Sequence, residues 1–197
     1  IIGIIGVFLA LSDIFIDSGF SNALINKQNC TKADFSTVFY TNIVISLVFF
    51  AILFFCAPLI ASFYKNPVLV WTTRAMALTF VISSFGAVSM TILTKELRFK
   101  AKAMITFIVS CISGFIVIYL AYNGWGVWAL VWQAVISCAI RVVVSVVYVR
   151  WKPILKFSRS SFVELFKFGS NLLGSNIIYT LYNNIYSLVF GKVFNPT

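Results

Sequence analysis

The sequence predicts an all-α, polytopic membrane protein with six transmembrane helices. Of its 197 residues, 61% are hydrophobic and 10% charged, whereas a soluble domain carries about 25% charged residues. That leaves too little charge to cover a water-facing surface. The apolar residues also fall in runs of span length. Ala75 to Thr94 and Ala103 to Ile140 carry no charge at all, and about 18 or more apolar residues in a row read as a membrane span. Strands of a membrane barrel would alternate polar and apolar over about ten residues. These runs are longer and uniformly apolar, so helices satisfy the backbone within the bilayer.

The first span is expected from Ile1 to about Ile25, interrupted by Asp13 and Asp17. The second runs from about Phe35 to Phe63. It is longer than the roughly 20 residues that cross a hydrocarbon core, so it must tilt or bend near Pro58. The third covers Ala75 to Thr94 and the fourth Ala103 to Tyr122. The fifth covers about Val127 to Val149 with Arg141 inside it, and the sixth about Phe168 to Phe190. The chain starts inside an apolar run without Met and stops soon after another, as a fragment of a longer protein would.

The stretch "KELRFKAK" (Lys95 to Lys102) separates two uncharged runs. Alternate loops are rich and poor in cations. Lys27 and Lys32, then Lys95, Arg98, Lys100 and Lys102, then Arg150, Lys152, Lys156, Arg159 and Lys167 make 11 on one side; Lys65, Arg74 and Lys192 make 3 on the other. Cation-rich short loops stay cytoplasmic, so loops 26–34, 95–102 and 150–167 are expected inside. The same cations suit anionic lipid head groups. The opposite hairpin, "NGWGVWA", has Trp125 and Trp128 for an outer interface. The stretch 150–167 mixes cations with Ile154, Leu155, Phe157, Phe162, Leu165 and Phe166. That suits a basic amphipathic helix lying on the inner leaflet, or a surface linker between two bundles. Because the cations lie between spans, nucleic acid is not an expected partner.

Charges at membrane depth face a cavity or a partner. Asp13 and Asp17 are one helical turn apart and share a face. Two close carboxylates raise one pKa, the condition for proton or cation coupling; the competing reading puts Asp17 at the head groups. Arg141 either snorkels to the interface or faces a cavity, to hold an anion or to pair with Asp13. Asn176, Asn183 and Asn184 fall near one face of the sixth span, either as interhelical glue or as the lining of a hydrophilic path. The four cysteines, Cys30, Cys56, Cys111 and Cys138, have no metal or redox spacing, and there is no His. No nucleophile–base pair and no phosphate-binding glycine loop is present. No catalytic residue, metal or cofactor is therefore expected.

The stretches "DSGFSNALINKQNCTKADFSTVFYTN", "APLIASFYKNP", "ILTKELRFKAKA", "GWGVWALVWQ", "KPILKFS" and "NNIYSLVFGK" resemble the Wzx-type polysaccharide flippases of the multidrug/oligosaccharidyl-lipid/polysaccharide exporter superfamily. The resemblance runs along nearly the whole chain, with "GWGVWALV" and "LRFKAKA" its most specific parts. It implies a transporter of twelve to fourteen helices in two lobes, of which this chain is a fragment. Residues 1–149 would be most of the N-terminal lobe, 150–167 a cytoplasmic linker and 168–197 the first helix of the second lobe. It implies no enzyme but a carrier of undecaprenyl-pyrophosphate-linked oligosaccharide, moved from inner to outer leaflet of the bacterial inner membrane for surface polysaccharide. Polysaccharide polymerase machinery is an implied partner. The anionic cargo points to Arg141 as a binding residue, with Lys95 and Arg98 as a loading patch and Asn176 and Asn183 as further candidates. Asp17 matches the acidic position of the family's D-x-G stretch, and Asp13 and Asp17 are the ion-coupling candidates. Tyr186 departs from the family, which often carries Asp there. Two alternatives stay open: a cation-coupled multidrug antiporter of the same superfamily, and a membrane-embedded glycosyltransferase or polymerase. The first would need an acidic cavity and the second a catalytic residue in a large outer loop.

Overall fold

The computed structural model describes residues 20–28, 30–155 and 157–167, together with 169, 174, 175, 178, 179 and 182. The described part is helical, with no strand. Helix α1 is Phe20–Asn26, α2 Lys32–Phe63, α3 Val68–Lys95, α4 Phe99–Tyr122 and α5 Val127–Val149. Residues 159–167 form a further short helix. Four helices, α2 to α5, are long and apolar enough to cross a membrane, so the chain is a multi-pass membrane protein. Of the expected first and sixth spans, residues 1–19 and most of 168–190 lie outside the described residues.

Helix α3 is the centre of the packing. In its most apolar stretch 67% of residues are buried, against 11%, 17% and 11% for α2, α4 and α5. It packs against α2 on one side and α5 on the other, and α4 rests mainly on α5. The α3–α5 contact is close because Gly86 has no side chain. A Cβ there would lie 2.9 Å from Val142 Cγ2 and 3.2 Å from Val142 Cα, and small residues are what let membrane helices approach.

The turns that join the spans share one design. After α2, α3 and α4, the third residue past the helix end donates its N–H back across it. Asn66 N reaches Ala61 O at 3.0 Å, Arg98 N reaches Leu93 O at 2.9 Å and Trp125 N reaches Leu120 O at 3.2 Å. A second bond in each turn completes the Schellman pattern, which satisfies the last helical carbonyls. The pattern needs a left-handed residue. Gly124 supplies it at φ 78°, but Lys65 at 52° and Leu97 at 55° adopt it as L-residues, at a cost of about 1–2 kcal/mol each.

The surplus length of α2 sits at its N-terminal end. There Asp34, Ser36, Thr37 and Val38 are all buried beneath α1 and residues 150–167. Thr31 and Asp34 form a capping box: Thr31 Oγ1 accepts from Asp34 N, and Asp34 Oδ2 accepts from Thr31 N at 2.7 Å. Pro58 lies inside α2 without ending it. Residues 150–167 do not form one amphipathic helix. The first part is irregular and docked, with Ile154 N donating to Ser36 Oγ and Ser158 N to Thr37 Oγ1, both at 3.0 Å. Ser158 Oγ then accepts from Ser161 N at 3.3 Å to start the short helix, and Leu165 seals it onto Phe20, Leu24 and Val38.

Candidate functional site

The alternation of helices gathers the basic loops at one end of the bundle. Here α1, the start of α2, the end of α3 and residues 150–167 share one apolar cluster. Lys27 is the polar hub above it. Its ammonium donates to Glu164 Oε2 at 2.8 Å and to Asp34 Oδ1 at 3.3 Å. The hydrogen bond that Lys27 donates to Glu164 is the main cause that raises the Lys27 pKa above its ordinary value; burial opposes it.

Lys95 and Arg98, expected to form a loading patch, face different partners. The Lys95 ammonium turns inward. It donates to the Leu24 carbonyl at 2.6 Å, to the Lys27 carbonyl and to Cys30 Sγ at 2.9 Å. It thereby closes the C-terminus of α1, where a cation also meets the helix dipole favourably. Arg98 stays at the surface and pairs with Glu96 at 2.9 Å. Lys100 is exposed as well, while Lys102 is partly buried and its Nζ reaches Thr94 Oγ1 at 3.2 Å.

Arg141 lies 8 residues before the end of α5, about 12 Å below it at 1.5 Å per residue. Its side chain is exposed and has no hydrogen bond or ion pair with a described residue. The outer faces of α2 and α4 give the contrast. Val44, Leu47, Val48, Ile52, Phe55 and Leu59 are exposed on α2, and Phe107, Ile112, Phe115 and Ile118 on α4. Those faces suit lipid. An arginine at helix centre costs about 2.5–3.5 kcal/mol against lipid, so the Arg141 side of α5 suits a polar cleft. Asp13, Asp17, Asn176 and Asn183 lie outside the described residues.

Arg74 is a residue that sequence reasoning misplaced. It was expected in the loop between the second and third spans. Pro67 starts α3 much earlier, so Arg74 stands inside the helix. The polar run Thr72–Thr73–Arg74 had lowered the hydropathy and hidden the helix start. The guanidinium stacks over Phe54 at 4.3 Å and reaches within 5.4 Å of the Trp71 ring. Its Nε is buried without a hydrogen-bond partner, so cation–π attraction replaces an ion pair. Among the described residues no three His, Cys, Asp or Glu converge as a metal site.

The family model described as "Polysaccharide biosynthesis protein" matches residues 1–197. The chain belongs to that family. Among curated relatives it is 27% identical to the teichuronic acid biosynthesis protein TuaB of Bacillus subtilis (strain 168), over 92% of this chain and 38% of that protein. It is 25% identical to the lipopolysaccharide biosynthesis protein WzxC of Escherichia coli (strain K12), over 95% of this chain and 38% of the relative. To the succinoglycan biosynthesis transport protein ExoT of Rhizobium meliloti (strain 1021) it is 26% identical, over 81% and 32%. The chain thus spans a third to two-fifths of the length of these relatives. No solved structure matches it. The Wzx-type resemblance expected from the sequence agrees with these family members.

Proposed function

We propose that this chain is part of a transporter, not an enzyme, that moves an anionic lipid-linked oligosaccharide from the inner to the outer leaflet of the bacterial inner membrane by alternating access. The observation that carries the reading is Arg141: an exposed guanidinium at depth on α5 with no ion pair among the described residues, in a bundle whose α2 and α4 faces are apolar. Its planar fork suits a pyrophosphate bidentately. The relatives TuaB, WzxC and ExoT, named for polysaccharide biosynthesis and transport, support the cargo class.

In this reading residues 1–149 belong to the first lobe, 150–167 to a cytoplasmic linker and 168–197 to the start of a second lobe. Loops 26–34, 95–102 and 150–167 face the cytoplasm. Asn176 and Asn183 are further cargo-binding residues, Asp13 and Asp17 carry ion coupling, and polymerase machinery receives the flipped unit. Lys95 and Arg98 form the loading patch at the cytoplasmic end, with Lys95 also fixing the end of α1.

The test is a complementation assay on the intact gene, reading which leaflet holds the lipid-linked repeats. Arg141→Ala at normal protein levels should trap completed repeats on the inner leaflet and abolish surface polymer, while Arg141→Lys keeps part of the export. Full export by the Ala variant ends the assignment. Normal polymer with altered tolerance to cationic drugs in the deletion strain replaces the reading with the antiporter. Insensitivity of transport to Asp13→Asn across pH removes that acid as a coupling residue.

A further inference from the structure

A small cavity lies between α2 and α3, away from the basic end. Asn42, Ser46 and Ser84 give it polar walls, and Phe49 and Phe80 are among its apolar ones. Asn42 is 9% exposed, and its Nδ2 has no hydrogen-bond partner. An orphan amide N–H within a membrane span is costly, because lipid offers nothing to accept it.

The two hydroxyls show what the amide lacks. Ser46 Oγ donates to the Ile43 carbonyl at 2.8 Å, and Ser84 Oγ donates to the Val81 carbonyl at 2.8 Å. Both hydroxyl hydrogens are committed to backbone, so each oxygen keeps lone pairs for the cavity. The walls therefore present one unused donor and two acceptors. The cavity measures ≈ 20 Å³, and a single water needs at least about 10–15 Å³. One molecule fits that both accepts from Asn42 and donates to the serines. We infer that the α2–α3 interface holds one ordered water, bound by the Asn42 amide and the Ser46 and Ser84 hydroxyl oxygens. A monovalent cation is the poorer match, because it would confront the Asn42 N–H and find only neutral oxygens.

The water is an interhelical bridge and gives α2 and α3 a polar contact in place of an apolar seam. Its role is independent of the cargo.

The experiment is X-ray hydroxyl-radical footprinting of the full-length protein in nanodiscs, read at Phe49 and Phe80. Radicals form from water close to a side chain, so a buried ring is oxidised only where a water sits beside it. Phe80 is 3% exposed and should be oxidised nonetheless. Asn42→Leu, which replaces the amide with an apolar side chain of similar size, should lower that oxidation by about fivefold or more, because an apolar cavity stays dry. Should that variant fail to fold, Ser84→Ala removes one acceptor and should lower oxidation at Phe80 likewise. Phe80 oxidation no higher in the wild type than in either variant overturns the inference. So does a thermal midpoint that rises in sodium chloride over choline chloride and loses that rise in Asn42→Leu, which would assign the cavity to a cation.

Discussion

Replacing Lys95 with Met removes the cation that closes α1 and leaves the length of the side chain. Three acceptors lose a donor: the Leu24 and Lys27 carbonyls and Cys30 Sγ. Hydrogen bonds from a charged group contribute about 1.5–3 kcal/mol each when one partner is deleted. The loss is smaller than three such terms. The Cys30 thiol already lies 3.4 Å from both carbonyls and can donate to one of them, and the site is only partly buried, so water reaches part of it. One carbonyl is left bare, and the net cost is about 2 kcal/mol. Local opening of α1 then becomes about 30-fold more frequent. Hydrogen exchange of a peptide covering residues 20–31, followed by mass spectrometry on the full-length protein in nanodiscs, reads this directly. Lys95→Arg should not rescue it, because a planar fork does not meet three acceptors that converge on one point. Exchange within about threefold of wild type would refute the reasoning. If export fails in the Met variant while exchange stays unchanged, Lys95 acts on the cargo and not on α1.

Gly86→Ala should destabilise the bundle by about 1–3 kcal/mol, because Val142 Cα, 3.2 Å from the new Cβ, cannot move without α5. An unchanged thermal midpoint in detergent would mean that α3 and α5 pack less closely than described. Leu97→Gly should stabilise by up to about 1 kcal/mol, since Leu97 is 72% exposed and contributes little beyond its left-handed turn; a lower midpoint contradicts this. Glu164→Gln breaks an exposed pair with Lys27 and should cost about 0.2–1 kcal/mol, read as faster tryptic cleavage at Arg159. The pH dependence follows from the raised pKa of Lys27. A lysine whose folded pKa is raised contributes its stability below the unfolded pKa and loses it as pH climbs through the folded one. Cleavage at residues 150–167 should therefore stay constant through neutral pH and accelerate only in strongly alkaline buffer. Acceleration between neutral and mildly alkaline pH would contradict the Lys27 latch.

The helical class, the four described spans and the gathering of cations at one end were legible in the sequence. Each follows from a one-dimensional property: lipid selects long apolar runs, and alternating crossings sort the loops. The span expected at about Val127 to Val149 coincides with α5. The start of α3 did not, because a hydropathy average gives Arg74 the weight of a loop residue. In the fold, the rings of Phe54 and Trp71 make its place inside a helix tolerable.

What the chain order alone did not determine is which cations are free. Lys95, Arg98 and Arg141 look alike as charges beside apolar runs. Only packing shows Lys95 turned onto the carbonyls of α1, Arg98 paired with Glu96 and Arg141 left open on α5. The same holds for Asn42, one polar residue among many in a span until α3 brings Ser84 opposite it. Composition and periodicity report how a residue partitions between water and lipid. Partners separated by tens of residues are chosen by the approach of helices, and that is a property of the tertiary structure.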